Sequence, residues 1–174
     1  PMVATPAAPE SARNACPAKE GLYLAFKLSE EFHALPILKV QEIIGFQSVT
    51  PIPGMPRFVC GVINLRDKVI PVVDLRLRFA MTCGETTSRT CIIIVHLSQN
   101  HRVLTLGAIV DEVCEVIELP QSQIEPAPEF GASVDTRFIL GIGKNEQRVI
   151  LLLDVDRLFS DEEMAKVSHM GAQD

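Results

Sequence analysis

The sequence predicts an all-β protein, mainly strand, built as two small barrels packed side by side, and three observations carry that prediction. Strand-like segments are short, numerous and rich in β-branched residues, with Gly, Pro, Asn or Asp between them. A stretch of the chain occurs twice: Gly61 to Phe79 (GVINLRDKVIPVVDLRLRF) lies over Gly141 to Phe159 (GIGKNEQRVILLLDVDRLF) without a gap. Upstream, Val40-Gln41-Glu42-Ile43 is echoed by Val110-Asp111-Glu112-Val113, and Val49-Thr50-Pro51-Ile52-Pro53 by Ile124-Glu125-Pro126-Ala127-Pro128. Both echoes keep the same order, so the chain reads as two copies of one unit, too few for a solenoid and suited to a compact pair. Finally, Pro36 and Pro71 fall inside strand-like runs, where a missing N–H is tolerated at the edges and bulges that small barrels supply.

Taken in order, residues 1–20 are rich in Ala and Pro without apolar periodicity, and predict a disordered tail. The folded region is expected over 21–160, with two pseudo-repeated halves at roughly 22–82 and 90–160. From Leu22 the period becomes two: Leu22, Leu24, Phe26 and Leu28 alternate with Tyr23, Ala25 and Lys27, predicting a half-buried strand. Further strands are expected at His33 to Leu38, Val40 to Phe46, Val59 to Leu65, Lys68 to Leu75, Thr90 to Leu97, Val103 to Val110, Glu112 to Leu119, Phe138 to Ile142 and Val149 to Val155. Asn64 to Lys68 and Gly143 to Gln147 occupy equivalent places and read as hairpin tips, which exposes Arg66. Gly61 and Gly107 stand alone in strands, where a bulge or a close backbone approach is the usual reason. Thr50 to Met55 and Pro56 form a proline-rich connector. Asp74 and Asp154 each close a strand before a short helical segment. Over 161–174 a C-terminal helix with a frayed end is expected, opened by the capping-box pattern Ser160-Asp161-Glu162-Glu163.

Composition bounds the function. The chain has 174 residues, is 47% hydrophobic and carries a net charge of −6, which suits a globular domain and argues against a nucleic-acid binder. Arg57, Arg66, Arg76 and Arg78 cluster in sequence without an accompanying set of stacking aromatics. No apolar run approaches the ~20 residues of a membrane-spanning helix, and the first residues have neither the basic leader nor the apolar core of a targeting signal, so a cytoplasmic protein is expected. Five cysteines, Cys16, Cys60, Cys83, Cys91 and Cys114, are odd in number and lack any C-x-x-C, in keeping with free thiols. Cys83, Cys91 and His96 match no zinc spacing.

Candidate chemistry is thin. Asp74 and Asp154 could serve as the carboxylate pair of a small hydrolase, yet helix capping accounts for an Asp at both places. His33, His96, His101 and His169 are scattered, and no Gly-flanked nucleophile accompanies them. Phosphate-cradling glycine motifs are absent. An SH3- or OB-like nucleic-acid module is the remaining alternative. Glu42 and Glu112 read as solvent-facing positions of alternating strands, whereas Arg66 beside an apolar run has the look of an interface anchor.

At GVINLRDKVIPVVDLRLRF the residues become specific, and with Phe26-Lys27-Leu28, Val40-Gln41-Glu42-Ile43, Pro53-Gly54-Met55-Pro56, Gly107-Ala108-Ile109-Val110-Asp111, Pro126-Ala127-Pro128 and Leu151-Leu152-Leu153-Asp154 the chain resembles the CheW family of bacterial chemotaxis from about Leu22 to Phe159. The resemblance implies two SH3-like five-stranded β-barrels, no catalysis and no cofactor. It implies an adaptor of two-component signalling that couples the cytoplasmic tip of a chemoreceptor to the regulatory domain of the histidine kinase CheA. Further copies of such a protein in membrane-associated arrays are also implied, with no insertion into the bilayer. Carried over by position, the receptor-binding residues are Val40, Glu42, Ile43, Gly61, Arg66, Gly107, Val113 and Val116, in a groove between the barrels. The chain departs from the family at Asp67, where Gly is usual, which bears on the aim of Arg66. With no receiver domain after Phe159 and no kinase region before Leu22, the simple adaptor is expected rather than CheV or an entire CheA.

Overall fold

The computed structural model describes residues 18–81, 84–99, 101–127 and 138–171. Most of the expected tail, Cys16, Cys83, Pro128 and the last residues of the expected frayed end lie outside the described residues. The chain runs β1 (Gly21–Leu28), β2 (Glu31–Pro36), β3 (Val40–Gly45), β4 (Val59–Leu65), β5 (Lys68–Asp74), α1 (Leu75–Arg78), β6 (Cys91–Gln99), β7 (Arg102–Val110), β8 (Glu112–Leu119), β9 (Ile124–Glu125), β10 (Ile139–Asn145), β11 (Arg148–Leu153) and α2 (Asp161–Gly171). Within the expected tail, Ala18 is buried and the Lys19 carbonyl accepts from the Tyr23 hydroxyl at 2.6 Å.

Two sheets result, one in the order β8-β1-β2-β11-β10-β9 and one in the order β3-β6-β7-β5-β4. They are the expected pair of SH3-like barrels. A Thr50–Val62 bridge flanks β4 as β9 flanks β10, so the barrel with the short strand β9 has six named strands where five were expected. The repeat is equally plain: hairpin β1–β2, strand β3 and hairpin β4–β5 correspond to β6–β7, β8 and β10–β11. Yet neither copy forms a sheet from its own strands. The first hairpin of each copy pairs in parallel with the last strand of the other, β2 with β11 and β7 with β5. The two copies therefore interlock by exchanging hairpins. Pro36 ends β2 and a 3-10 turn at Ile37–Lys39 carries the chain into the opposite sheet, while Asp111 alone makes the second crossover.

Exchange changes what the period-two pattern means. On β1, Tyr23 and Ala25 enter a barrel core with Ile117, Leu119, Ile150 and Leu152. Leu24, Phe26 and Leu28 point the other way, into the largest apolar cluster, where they meet Ile93, Val95 and Leu97 of β6. Ile92 and Ile94 of β6 line the second barrel's core. The expected half-buried strand is thus buried on both faces, since the alternation separates two cores. At about 1.5–3 kcal/mol for each large apolar side chain withdrawn from water, the seam stabilises the pair as strongly as either interior does.

The special residues have local causes. Gly61 has φ +149°, sits at a register shift between β4 and β5, and would place a Cβ 1.9 Å from the Thr50 carbonyl oxygen. Pro71 lies in β5 between two neighbours and not at a sheet edge. It is tolerated because its partner Val62 directs its N–H and C=O to Thr50, and because the parallel pairing with β7 starts only at Val72. Asp74 caps α1 by accepting from the Arg76 N–H at 2.9 Å, and Asp154 caps a 3-10 turn by accepting from the Asp156 N–H at 3.1 Å. The capping box is formed as read: Ser160 N–H donates to Glu163 and Glu163 N–H to Ser160, at 2.8 and 3.1 Å. Through Met164 and Val167, α2 then packs on the seam.

Candidate functional site

The residues singled out from the sequence fall into three groups. Val40, Glu42 and Ile43 lie on β3, and Val113 and Val116 on β8, the corresponding strand of the other copy. Each strand is the end of its sheet. Val40 and Val113 both pack against the seam cluster while remaining partly exposed. Ile43 and Val116 are 42% and 51% exposed. Register explains this placement: Val40 and Ile43 pair with Val95 and Ile93, whose side chains enter the seam, and Val113 and Val116 pair with Phe26 and Leu24, which do the same. The seam's apolar surface therefore continues outward onto two free strands.

Glu42 and Arg66 form the second group, and the fold brings them together. Arg66 and Asp67 are the central residues of the two-residue β4–β5 loop, with φ of 52° and 68°, as a type I′ turn demands. Asp67 adopts this conformation with its N–H donating to the Asn64 side-chain oxygen at 2.9 Å, so the loop is kept without the usual Gly. Glu146 and Gln147 repeat the conformation at the other tip, with φ of 49° and 73°. The Arg66 guanidinium forks the Glu42 carboxylate, Nη1 to Oε2 at 2.7 Å and Nη2 to Oε1 at 2.5 Å. Hydrogen bonding to Arg66 holds the Glu42 carboxyl below its usual range, and Glu42 holds the Arg66 guanidinium above its own. Because β3 and β4 are the two ends of their sheet, this pair spans the open side of that barrel. Arg148 of β11 and Glu115 of β8, 3.2 Å apart, link strands of the other barrel.

Gly61 and Gly107 make up the third group, and both are buried. A Cβ at Gly107 would stand 2.7 Å from Ile92 Cγ2, inside the barrel core, so both glycines shape the backbone under the surface instead of lining it. Two apolar residues belong with the exposed group although the sequence pattern assigned them only to strands. Leu22, 50% exposed, continues the Leu24 face of β1 beside Val116, and Phe46, 39% exposed, follows β3. Continuation of the same-face pattern past the last buried residue was the available signal.

The carboxylates proposed for hydrolysis are otherwise engaged. Asp74 is buried and forked by the buried Arg76, Nε to Oδ1 at 3.0 Å and Nη2 to Oδ2 at 2.9 Å, while Arg76 Nη1 also donates to Asp111 at 2.7 Å. Asp154 caps its turn and lies 3.6 Å from Arg157. Burial and the neighbouring Asp156 push its carboxyl up. No described helix is long and apolar enough to cross a membrane.

Twin SH3-like barrels locked by exchanged hairpins, with apolar end strands flanking their seam, define a scaffold of the double-barrel class. The chain belongs to the CheW-like domain family, whose model matches residues 22–163. It is similar to the chemotaxis protein CheW of Klebsiella aerogenes, 38% identical over 149 residues that cover 86% of this chain and 87% of that protein. Chemotaxis protein CheW of Bacillus subtilis is 37% identical over 140 residues, covering 80% and 86%. Among solved structures, the scaffolding protein TtCheW from Thermoanaerobacter tengcongensis superposes with a TM-score of 0.72 at 36% identity, covering 83% of this chain and 95% of that one. Proteins of this family are scaffolds and adaptors, not enzymes, and this chain is a chemotaxis adaptor.

Proposed function

We propose that the chain bridges the cytoplasmic tip of a chemoreceptor and the regulatory, CheW-like domain of the kinase CheA, acting in the cytoplasm at membrane-associated receptor arrays. The observation that supports this reading is the continuation of the seam's apolar surface onto two end strands from different copies, through Val40 and Ile43 on one and Val113 and Val116 on the other. An amphipathic helix needs an apolar strip for affinity and charged margins for register. Glu42 and Arg66 supply the margin, and Gly61 and Gly107 support it through the backbone they permit. Since these two charges already pair with each other, a partner helix would exchange that pair for its own contacts, which favours selectivity over raw affinity. Binding is assigned to the folded unit 21–160, with 1–20 and 161–174 as flanks.

The test uses the full chain, a receptor-tip fragment and the CheA regulatory domain in titration calorimetry. Both are expected to bind, and both at once in a ternary mixture. Arg66→Ala is expected to weaken receptor binding about tenfold with the thermal transition unchanged. Absence of binding to either partner at tens of micromolar, or strict competition between them, refutes the bridge.

A further inference from the structure

The apolar surface on the two end strands follows one register for two steps and then diverges. On one side, Val40 and Ile43 of β3 stand opposite Val95 and Ile93 of β6, and the next pair outward is Gly45 with Cys91. On the other, Val113 and Val116 of β8 stand opposite Phe26 and Leu24 of β1, and the next pair outward is Glu118 with Leu22. At equivalent places the first wall ends on a glycine and a half-buried thiol, whereas the second ends on an exposed carboxylate beside a leucine that is 50% exposed. The fold does not require an acid there, since the other copy does without a side chain at the corresponding point.

The charge on the second wall is also unpaired. The two end strands carry four carboxylates, Glu42 on β3 and Glu112, Glu115 and Glu118 on β8. Arg66 forks Glu42, Arg148 lies 3.2 Å from Glu115, and Arg89 lies 3.7 Å from Glu112. Glu118 has no ion-pair partner among the described residues. A solitary exposed glutamate is ordinary on a protein surface. What sets this one apart is its place opposite Leu22, which puts an apolar contact and an anion side by side at the end of an apolar strip. A helix followed along β8 meets that order turn by turn, because two strand residues advance about 6.6 Å and one helical turn about 5.4 Å.

We propose that Glu118 is a specificity-determining residue of this groove, selecting a partner helix that carries a lysine or arginine one turn beyond its apolar stripe. The inference rests on the receptor-binding reading given above and adds a direction to it. The Leu22–Glu118 end receives the cation, and the Cys91–Gly45 end receives an uncharged stretch. A long basic side chain suits the place, since its methylenes cover Leu22 while its head reaches the carboxylate. An exposed pair of this kind contributes selectivity more than affinity.

Titration calorimetry of the full chain and its variants with the receptor-tip fragment tests this. Glu118→Gln is expected to weaken binding about threefold and Glu118→Lys about tenfold, with the thermal transition and the affinity for the CheA regulatory domain unchanged. Among fragments in which exposed lysines and arginines are replaced one at a time by glutamate, one is expected to restore binding to Glu118→Lys. The double variant Glu118→Gln, Gly45→Glu moves the carboxylate to the other wall, where an added Cβ meets no atom within 4 Å, and is expected to bind as weakly as Glu118→Gln. The proposal is overturned if the Glu118 variants bind like wild type, if CheA binding falls equally, or if no altered fragment rescues Glu118→Lys. Full affinity in the double variant also overturns it, because net charge alone would then account for the effect. Each of these outcomes leaves the bridge standing, whereas a wild-type chain that does not bind the fragment removes both.

Discussion

The two crossovers between the sheets are pinned by the same device with the charges reversed. In the first copy, Arg76 stands just after the Asp74 cap and reaches Asp111, the residue that carries β7 into β8. In the second, the corresponding residue is Asp156, just after the Asp154 cap, and it holds Lys39, which carries β2 into β3, at 2.7 Å. Asp156 also accepts from the Ser98 N–H at 2.7 Å. One crossover is closed by a buried cation between two carboxylates, the other by a half-exposed pair, with side-chain exposures of 6% for Arg76 against 29% and 30% for Lys39 and Asp156. Repetition fixes where a tie is needed. Depth decides what breaking it costs, because a charge stranded in a dry site cannot recover its hydration.

The largest expected effect therefore falls on one side of that comparison. Arg76→Ala removes the buried cation that Asp74 and Asp111 share and is expected to cost about 3–5 kcal/mol in urea unfolding, whereas Asp156→Ala, breaking a pair that water already screens, should cost about 1 kcal/mol or less. Equal losses would show that the two crossovers are equally buried in solution.

Acid should separate the copies next. His33 is neutral when folded, its pKa lowered from 6.5 to about 4 by burial, while the unfolded chain titrates normally. Between these values the unfolded state binds more protons, so stability falls as pH drops from about 6.5 to about 4, by at most about 3 kcal/mol. Asp154 acts oppositely, since its carboxyl is raised: the folded state holds the proton longer, and this group favours folding more as pH falls toward its folded value. Replacing His33 by leucine, which the other copy carries at the equivalent place as Leu106, should remove most of the slope measured by denaturation at each pH. An unchanged slope would exclude the histidine as its source.

Smaller effects are expected at the remaining equivalent places. Asp154→Ala removes a cap and is expected to cost about 1 kcal/mol, read as a lower urea midpoint. Arg66→Ala leaves the melting temperature unchanged, because the Glu42 pair lies in water, and its consequence is confined to binding. A fall in melting temperature would make the pair a structural clasp across the open side of its barrel.

Much of this was legible in the residues. The duplicated stretch announced the copies, the tips at Asn64 to Lys68 and Gly143 to Gln147 announced the hairpins, and Ser160 with Glu163 announced the helix start, because each depends on neighbours a few positions away. Arg66 and Glu42 could be named as charged margin residues, but their mutual pairing could not, since 24 positions separate them and only the closing of the sheet brings them together. Gly61 was legible as a bulge or close approach, while the approaching group, the Thr50 carbonyl, was not.

What the sequence determined by itself was the local grammar: alternating strands, hairpin tips, caps at Asp74 and Asp154, and a unit used twice. Only the tertiary structure decided that each copy lends its first hairpin to the other. Alternation gives a strand two unlike faces and reads as one buried and one exposed, without saying that a second core covers the other, so Leu24 and Tyr23, set on opposite faces of a half-buried strand by the pattern, are both buried, in different cores. Pairing between strands far apart in the chain is chosen by the total apolar surface it removes from water, a property of both copies together that no single segment contains.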